Sequence, residues 1–357
     1  MRTCLHTLGS STTTNGSKRQ EPAKRKVLVI GGTLFIGQAL VKELVRLGHE
    51  VAVLHRKARH KLGKRVANIV ADRNDPDSVK RALAGKNFDV VYDNVYDWEH
   101  GTTAAQVEAT ARACGNNLQR YVFMSSVGAY GDGLNHHEGD ALAPDDHSDA
   151  YVRNKAMSER ALFRMRQRNG FPVVTLRPPF VYGPGNPFYR EAFFWDRLRD
   201  GRPLILPGDG RRLMQFVHID DLVGACVKVL DIPDIEGHAF NIANPRPLTQ
   251  VEAVEGFARA AGKEPTFVRL PRERILRAGG HPMGPRMYFG VYFDLPAITV
   301  VVNKAQRILK FKPVEFNAGL KGTYRWYVRH KFPKPDYSFE DGLIASAPAS
   351  AYSAPVD

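Results

Sequence analysis

The chain has 357 residues, 43% of them hydrophobic, and a formal net charge of +14. That is enough apolar material for one large core or two, and no apolar run approaches the roughly 20 residues of a membrane helix, so a soluble protein is expected. Residues 27–333 hold +12 of the charge, which assigns the excess to the folded body and suits an anionic ligand, a phosphate-bearing cofactor or RNA.

Residues 1–25, including "GSSTTTNGSK", carry too little apolar content to fold and are expected to form a disordered tail. The tail is basic and Ser/Thr-rich without a persuasive amphipathic helix. A cytoplasmic location is therefore expected, with organellar targeting as the alternative. Cys4, Cys114 and Cys226 lie far apart with no metal-ligand spacing, which fits a reducing compartment and no disulfide framework.

Val27 to Ile30 is a short β-branched run that reads as a buried strand. Phe35, Ala39, Leu40, Leu44 and Leu47 recur at helical spacing up to Gly48, and Val51, Val53 and Leu54 resume as a second strand. This is a βαβ unit whose helix N-terminus offers N–H groups to a pyrophosphate. In its turn, "GGTLFIG", Gly31 makes the bend and Gly37 lets helix and strand pack closely. Leu34 stands where a middle glycine would let backbone and phosphate approach.

Further on, "RYVFMSSVGAYG" (Arg120 to Gly131) is a strand running into a small-residue turn. Beyond Ser126 comes "AYVRNKAMSERALF", where Tyr151 and Lys155 stand one helical turn apart on one face. A free tyrosine hydroxyl titrates near 10, too high for acid–base work at neutral pH, and a neighbouring ammonium favours its phenolate. The histidine- and acid-rich segment from Gly133 to Ala150 has no spacing that would gather a metal. It is expected to be a polar flap, and no metal site is expected.

Taken together, these motifs resemble the extended short-chain dehydrogenase/reductases, the group of NAD(P)-dependent epimerases and dehydratases. The resemblance runs from about Lys26 to Arg329. It includes "ADRNDP", "YVRNK", "LRPPFVYGPGNP", "LPGDGRRLMQFVHIDDLVGA" and "AFNIANP" as well as the segments quoted above. It implies a Rossmann-like, doubly wound parallel α/β sheet over residues 26–186. It further implies a smaller substrate lobe over 187–330, with 216–244 returning to the sheet; residues 331–357 are expected as a second tail.

The same resemblance implies a catalytic triad of Ser126, Tyr151 and Lys155, in which Tyr151 exchanges a proton with substrate while hydride moves to or from NAD(P). It places the cofactor against Gly31, Thr33, Leu34, Phe35, Ile36 and Gly37 of the turn, Asp72 and Arg73 near the adenine, and Pro178. Lys155 would hold the nicotinamide ribose beside Tyr151. At the end of the second strand, "HRK" (His55, Arg56, Lys57) replaces the usual acid, so NADP is slightly favoured over NAD.

Two further departures bear on the substrate. Nucleotide-sugar enzymes of the family usually carry an Asn before the "YGP" turn and an Arg before the "DxxHV" strand. Here these are Phe180 and Met214, with Arg177, Arg211 and Arg212 as candidates to compensate. On the strand "DVVYDNVYD", Val95 and Tyr96 stand where small residues usually admit the cofactor, so Tyr96 must turn away or the pocket must differ. The expected function is hydride transfer at a hydroxyl or carbonyl carbon of a sugar-like or other polar small molecule, and the resemblance implies a homodimer as a candidate assembly. The alternative is RNA binding on the same scaffold, since the "GGTxFIG" branch also holds chloroplast stem-loop RNA-binding proteins. The basic segment with Arg153, Arg160, Arg164, Arg166 and Arg168 is its main support.

Overall fold

The computed structural model describes residues 24–115 and 117–353. The expected N-terminal tail, apart from Lys24 and Arg25, and Cys4 lie outside the described residues.

The strands β1 (Lys26–Ile30), β2 (Glu50–His55), β3 (Val66–Val70), β4 (Val90–Asp93) and β5 (Arg120–Met124) join strands Val173–Arg177 and His238–Asn241 in one sheet. From one edge the order is His238–Asn241, Val173–Arg177, β5, β4, β1, β2, β3, and every pairing is parallel. The helices that flank it and the second lobe are α1 (Phe35–Arg46), α2 (Pro76–Leu83), α3 (Ala104–Ala113), α4 (Ala150–Asn169), α5 (Glu191–Arg199), α6 (Ile219–Lys228) and α7 (Gln250–Ala261). This is the Rossmann-like, doubly wound architecture.

Because side chains alternate along a strand, β1 feeds two cores. Val27 and Val29 pack with Leu40 and Leu44 of α1 and Leu222 and Cys226 of α6. Leu28 and Ile30 pack with Val79 of α2, Val107 of α3 and Leu162 of α4. Cys114 and Cys226 are free and buried, and no helix among the described residues is long and apolar enough to cross a membrane.

A third core, rich in aromatics, forms the second lobe around Phe193, Phe194 and Trp195 of α5, Phe257 of α7, and Phe216, Phe267 and Phe293. Its strands Leu204–Pro207 and Phe267–Leu270 run parallel. The chain leaves the sheet after Val173–Arg177, builds α5, returns through α6 and His238–Asn241, and then leaves again for α7.

The C-terminal segment corrects the expectation of a tail. Helix Ser338–Ala345 docks on the second lobe, and Tyr352–Ser353 adds an antiparallel strand to Phe267–Val268. The reason is a buried charge. Arg197 of α5 is 2% exposed and donates from Nε to Glu340 Oε1 at 2.7 Å, so the helix supplies the carboxylate that a buried guanidinium requires.

Candidate active site

Between the lobes lies a cavity of about 780 Å³, lined by the turn after β1 and the loops after β4 and β5. Open parallel sheets receive their ligands at such a place. Gly31 sits at φ +81°, and a Cβ there would stand 2.9 Å from Val95 Cβ. A Cβ on Gly37 would collide with the Gly31 carbonyl oxygen. These two glycines bring α1 onto β1.

Leu34, by contrast, is the extended N-cap of α1, and its side chain is 62% exposed. The left-handed backbone falls one residue later, on Phe35 at φ +40°. The substituted position therefore needs no glycine. Leu34, Phe35 and Ile36 line the cavity, while Thr33 is half-buried beside them. No side chain caps α1, which leaves its first-turn N–H groups for an anion. A glycine cradle, an uncapped helix start and a cavity continuing to Tyr151 and Lys155 fit a dinucleotide.

At the far end of β2, six cations (Arg56, Lys57, Arg59, Lys61, Lys64 and Arg65) are exposed. The His55 ring meets Asn68 Oδ1 at 2.6 Å, and Arg56 lies 3.5 Å from Asp97. Asp72 accepts from the Asn74 N–H at 2.9 Å as the chain turns towards α2. Arg73 does not reach the cavity. It is 5% exposed and spends its guanidinium on Asp93, Thr110 and the Gln106 carbonyl, an internal brace between β4 and α3.

Ser126, Tyr151 and Lys155 all line this cavity. Asp149 caps α4 by accepting from the Tyr151 and Val152 N–H groups at 2.8 and 3.2 Å, which fixes where the helix begins. Ser126 accepts from Gly128 N–H at 3.0 Å. Burial pushes the Tyr151 hydroxyl up to about 12, against the lowering effects of Ser126 and of the Arg190 charge. Lys155 is 6% exposed, donates to the Met124 carbonyl at 2.7 Å, and is brought down to about 8 by burial. Its ammonium lies 5.9 Å from the Tyr151 ring, and the cation acting on the hydroxyl in this state is Arg190. Pro178 lines the same cavity.

Tyr96 does not turn away. Its ring meets that of Tyr151 edge-on at 4.8 Å, and its hydroxyl takes a hydrogen bond from Asn154 at 3.3 Å. Trp98 stacks on Tyr151 at 5.0 Å and on Tyr292 at 5.8 Å, with Phe188 edge-on to both Trp98 and Tyr292. Phe180 and Met214 line the cavity. The arginines considered as compensation are elsewhere: Arg177 is buried against Glu159, Arg212 pairs with Asp294, and Arg211 is exposed outside the cavity. Arg190, Trp98 and Tyr292 escaped the reading of the sequence. One signal was available, a lone cation inside the aromatic run "NPFYREAFFW".

The expected flap is held down. Strand Gly133–His136 pairs with Ile298–Val300, His136 stacks on Tyr130 at 4.4 Å, and Glu138 accepts from the Asn241 N–H at 3.0 Å. No group of three or more metal-ligating side chains occurs among the described residues.

The model of the NAD dependent epimerase/dehydratase family matches residues 27–243, more than half of the chain. The chain belongs to this family, a family of enzymes. The chloroplast stem-loop binding protein of 41 kDa b from Arabidopsis thaliana is 30% identical over 346 residues, which is 90% of this chain and 85% of that protein. The 2-alkyl-3-oxoalkanoate reductase of Stenotrophomonas maltophilia is 29% identical over 255 residues, covering 66% and 76%. Among solved structures, UDP-glucuronic acid 4-epimerase from Bacillus cereus, in complex with UDP-glucuronic acid and NAD, superposes with a TM-score of 0.68 at 20% identity, over 85% of this chain and 99% of that one.

Proposed function

We propose that this chain binds NAD(P) across the glycine turn and catalyses hydride transfer at a hydroxyl or carbonyl carbon held beside Tyr151. A bound nicotinamide supplies the hydride, or accepts it in the reverse direction. Tyr151 gives its hydroxyl proton to the oxygen of the carbon being reduced, or takes it back during oxidation. Ser126 hydrogen-bonds the same oxygen. Lys155 leaves the Met124 carbonyl for the nicotinamide ribose and stabilises the phenolate. The exposed cations after β2, Arg56 foremost, favour the 2′-phosphate of NADP. The observation that carries the reading is the convergence of Ser126, Tyr151 and Lys155 on the cavity that begins at Gly31.

The test is Tyr151→Phe, which removes only the transferable proton. Reduced-dinucleotide binding, followed by fluorescence, is expected to stay within about twofold while turnover falls by about 10² or more. A fully active Tyr151→Phe protein would falsify the assignment.

A second reading, RNA binding, is favoured by the stem-loop binding relative. Its basic helix is partly committed, since Arg153 donates to the His147 carbonyl and Arg160 pairs with Asp145. RNA held by phosphate contacts is shed as salt rises, because each contact releases counterions. Salt-resistant binding of a structured RNA, with no dinucleotide binding, would reverse the ranking.

A further inference from the structure

Arg190 is 9% exposed, lines the cavity and leaves its Nε without a partner. Among the described residues no carboxylate oxygen approaches its guanidinium within 4.0 Å. Its neighbours are rings instead: Phe188 at 4.6 Å, Phe180 at 5.2 Å, Tyr292 at 5.5 Å and Phe293 at 5.9 Å. Glu191, next in the chain, directs its carboxyl oxygens to Asn186 Nδ2 at 2.9 and 3.3 Å. The other buried arginines among the described residues answer to carboxylates: Arg73 to Asp93, Arg120 to Glu236, Arg177 to Glu159 and Arg197 to Glu340. An unpaired buried guanidinium is costly, and cation–π contacts offset only part of that cost. The planar fork suits a two-oxygen anion.

Around Arg190 the wall is largely aromatic, whereas Asp132, His147, Ser148, Asp149 and Gln215 make other parts of the lining polar. Trp98, 53% exposed, lies on the Tyr151 ring with an interplanar angle of 17°, and Tyr292 and Phe188 stand beside it as further flat surfaces. Met214, Met283 and Leu295 add apolar surface to the lining. This departs from the polar substrate expected of the sequence.

We propose that the site takes a substrate with a flat, apolar body seated among Trp98, Phe188 and Tyr292 and an anionic oxygen group, carboxylate or phosphate, held by Arg190. The inference rests on the proposed hydride-transfer reading for its chemistry, but its test does not depend on turnover. Arg190 and Tyr151 line the same cavity, joined by rings: Arg190 lies over Tyr292, and Trp98 stacks on both Tyr292 and Tyr151.

The probes are naphthalene-2-carboxylate, 2-naphthyl phosphate, neutral 2-naphthalenemethanol and uridine diphosphate. Each is titrated into the full-length protein by calorimetry, and dinucleotide binding is measured separately. At least one naphthyl anion is expected to bind about tenfold or more tighter than the alcohol, as a charge-assisted contact should allow. Arg190→Met should abolish that preference and Arg190→Lys restore part of it. The tighter anion identifies the group. Trp98→Ala, at an exposed residue that leaves the core intact, should weaken all three naphthyl probes together, and melting curves report whether each variant folds. Equal binding of alcohol and anions in the parent would overturn the proposal. So would anion binding unchanged in Arg190→Met, or Arg190-dependent binding of uridine diphosphate with neither naphthyl anion bound. Failure of dinucleotide binding with the naphthyl pattern intact would remove the hydride-transfer reading and leave this subsite standing.

Discussion

Glu159 and Arg177 form a buried ion pair one helical turn beyond Lys155, with Arg177 donating from Nε at 3.0 and 3.1 Å and from Nη2 at 2.6 Å. Ser125, which precedes Ser126, also bonds Glu159. Tyr151, Lys155 and Glu159 thus share one face of α4, with chemistry at the exposed end and an anchor at the buried end.

Glu159→Gln keeps the shape but leaves Arg177 uncompensated. A loss of about 3–5 kcal/mol is expected in urea unfolding, as when one partner of a buried pair is removed. Because the same carboxylate ties Ser125, turnover should also fall in molecules that remain folded. Unchanged stability would show that the pair is solvated.

Gly37→Ala forces a methyl group into the Gly31 carbonyl. Helix α1 must then lift from β1, at a cost of about 1–3 kcal/mol for overpacking, and dinucleotide affinity should drop with it. Calorimetric titration beside thermal melting checks both. Normal dinucleotide affinity in the variant would mean that the turn is not the binding cradle.

Lys155 titrates at about 8 instead of its ordinary 10.5. The folded protein therefore binds fewer protons than the unfolded chain between those values. The destabilisation from burying the ammonium is full below pH 8 and is relieved as pH rises towards 10.5. Stability should accordingly gain across that window in the parent relative to Lys155→Met. Dinucleotide affinity should move the other way, weakening above pH 8 as the charged donor is lost. A binding profile flat through pH 10 would separate Lys155 from the ribose.

Arg56→Ala should weaken NADP much more than NAD if the cations after β2 meet a 2′-phosphate. Titration at fixed ionic strength decides it. Equal losses would make Arg56 a partner of Asp97 and nothing more.

The sheet was legible because its strands are short β-branched runs and its helices repeat at helical spacing. Gly31 and Gly37 declared themselves because a tight turn and a close approach tolerate little else. Tyr151 and Lys155 were legible because both stand on a single helix, where spacing alone determines the face. Arg190, Trp98 and Tyr292 come from three separate segments and are brought together only by the tertiary fold. Arg73 misled because it sits in the turn that follows Asp72, and its side chain runs inward to Asp93. The segment after residue 331 misled through its composition, which hides the contributions of Glu340 and Leu343.

The chain's repeated passage between the lobes has a thermodynamic consequence. Neither the sheet nor the aromatic core is made from one continuous stretch of sequence, so neither can melt while the other keeps its covalent frame in place. Heating should give a single calorimetric transition whose van't Hoff and calorimetric enthalpies agree. Any ligand gripping only the glycine turn should then raise the melting temperature of the distant Phe267–Leu270 strand by the same amount as that of β1.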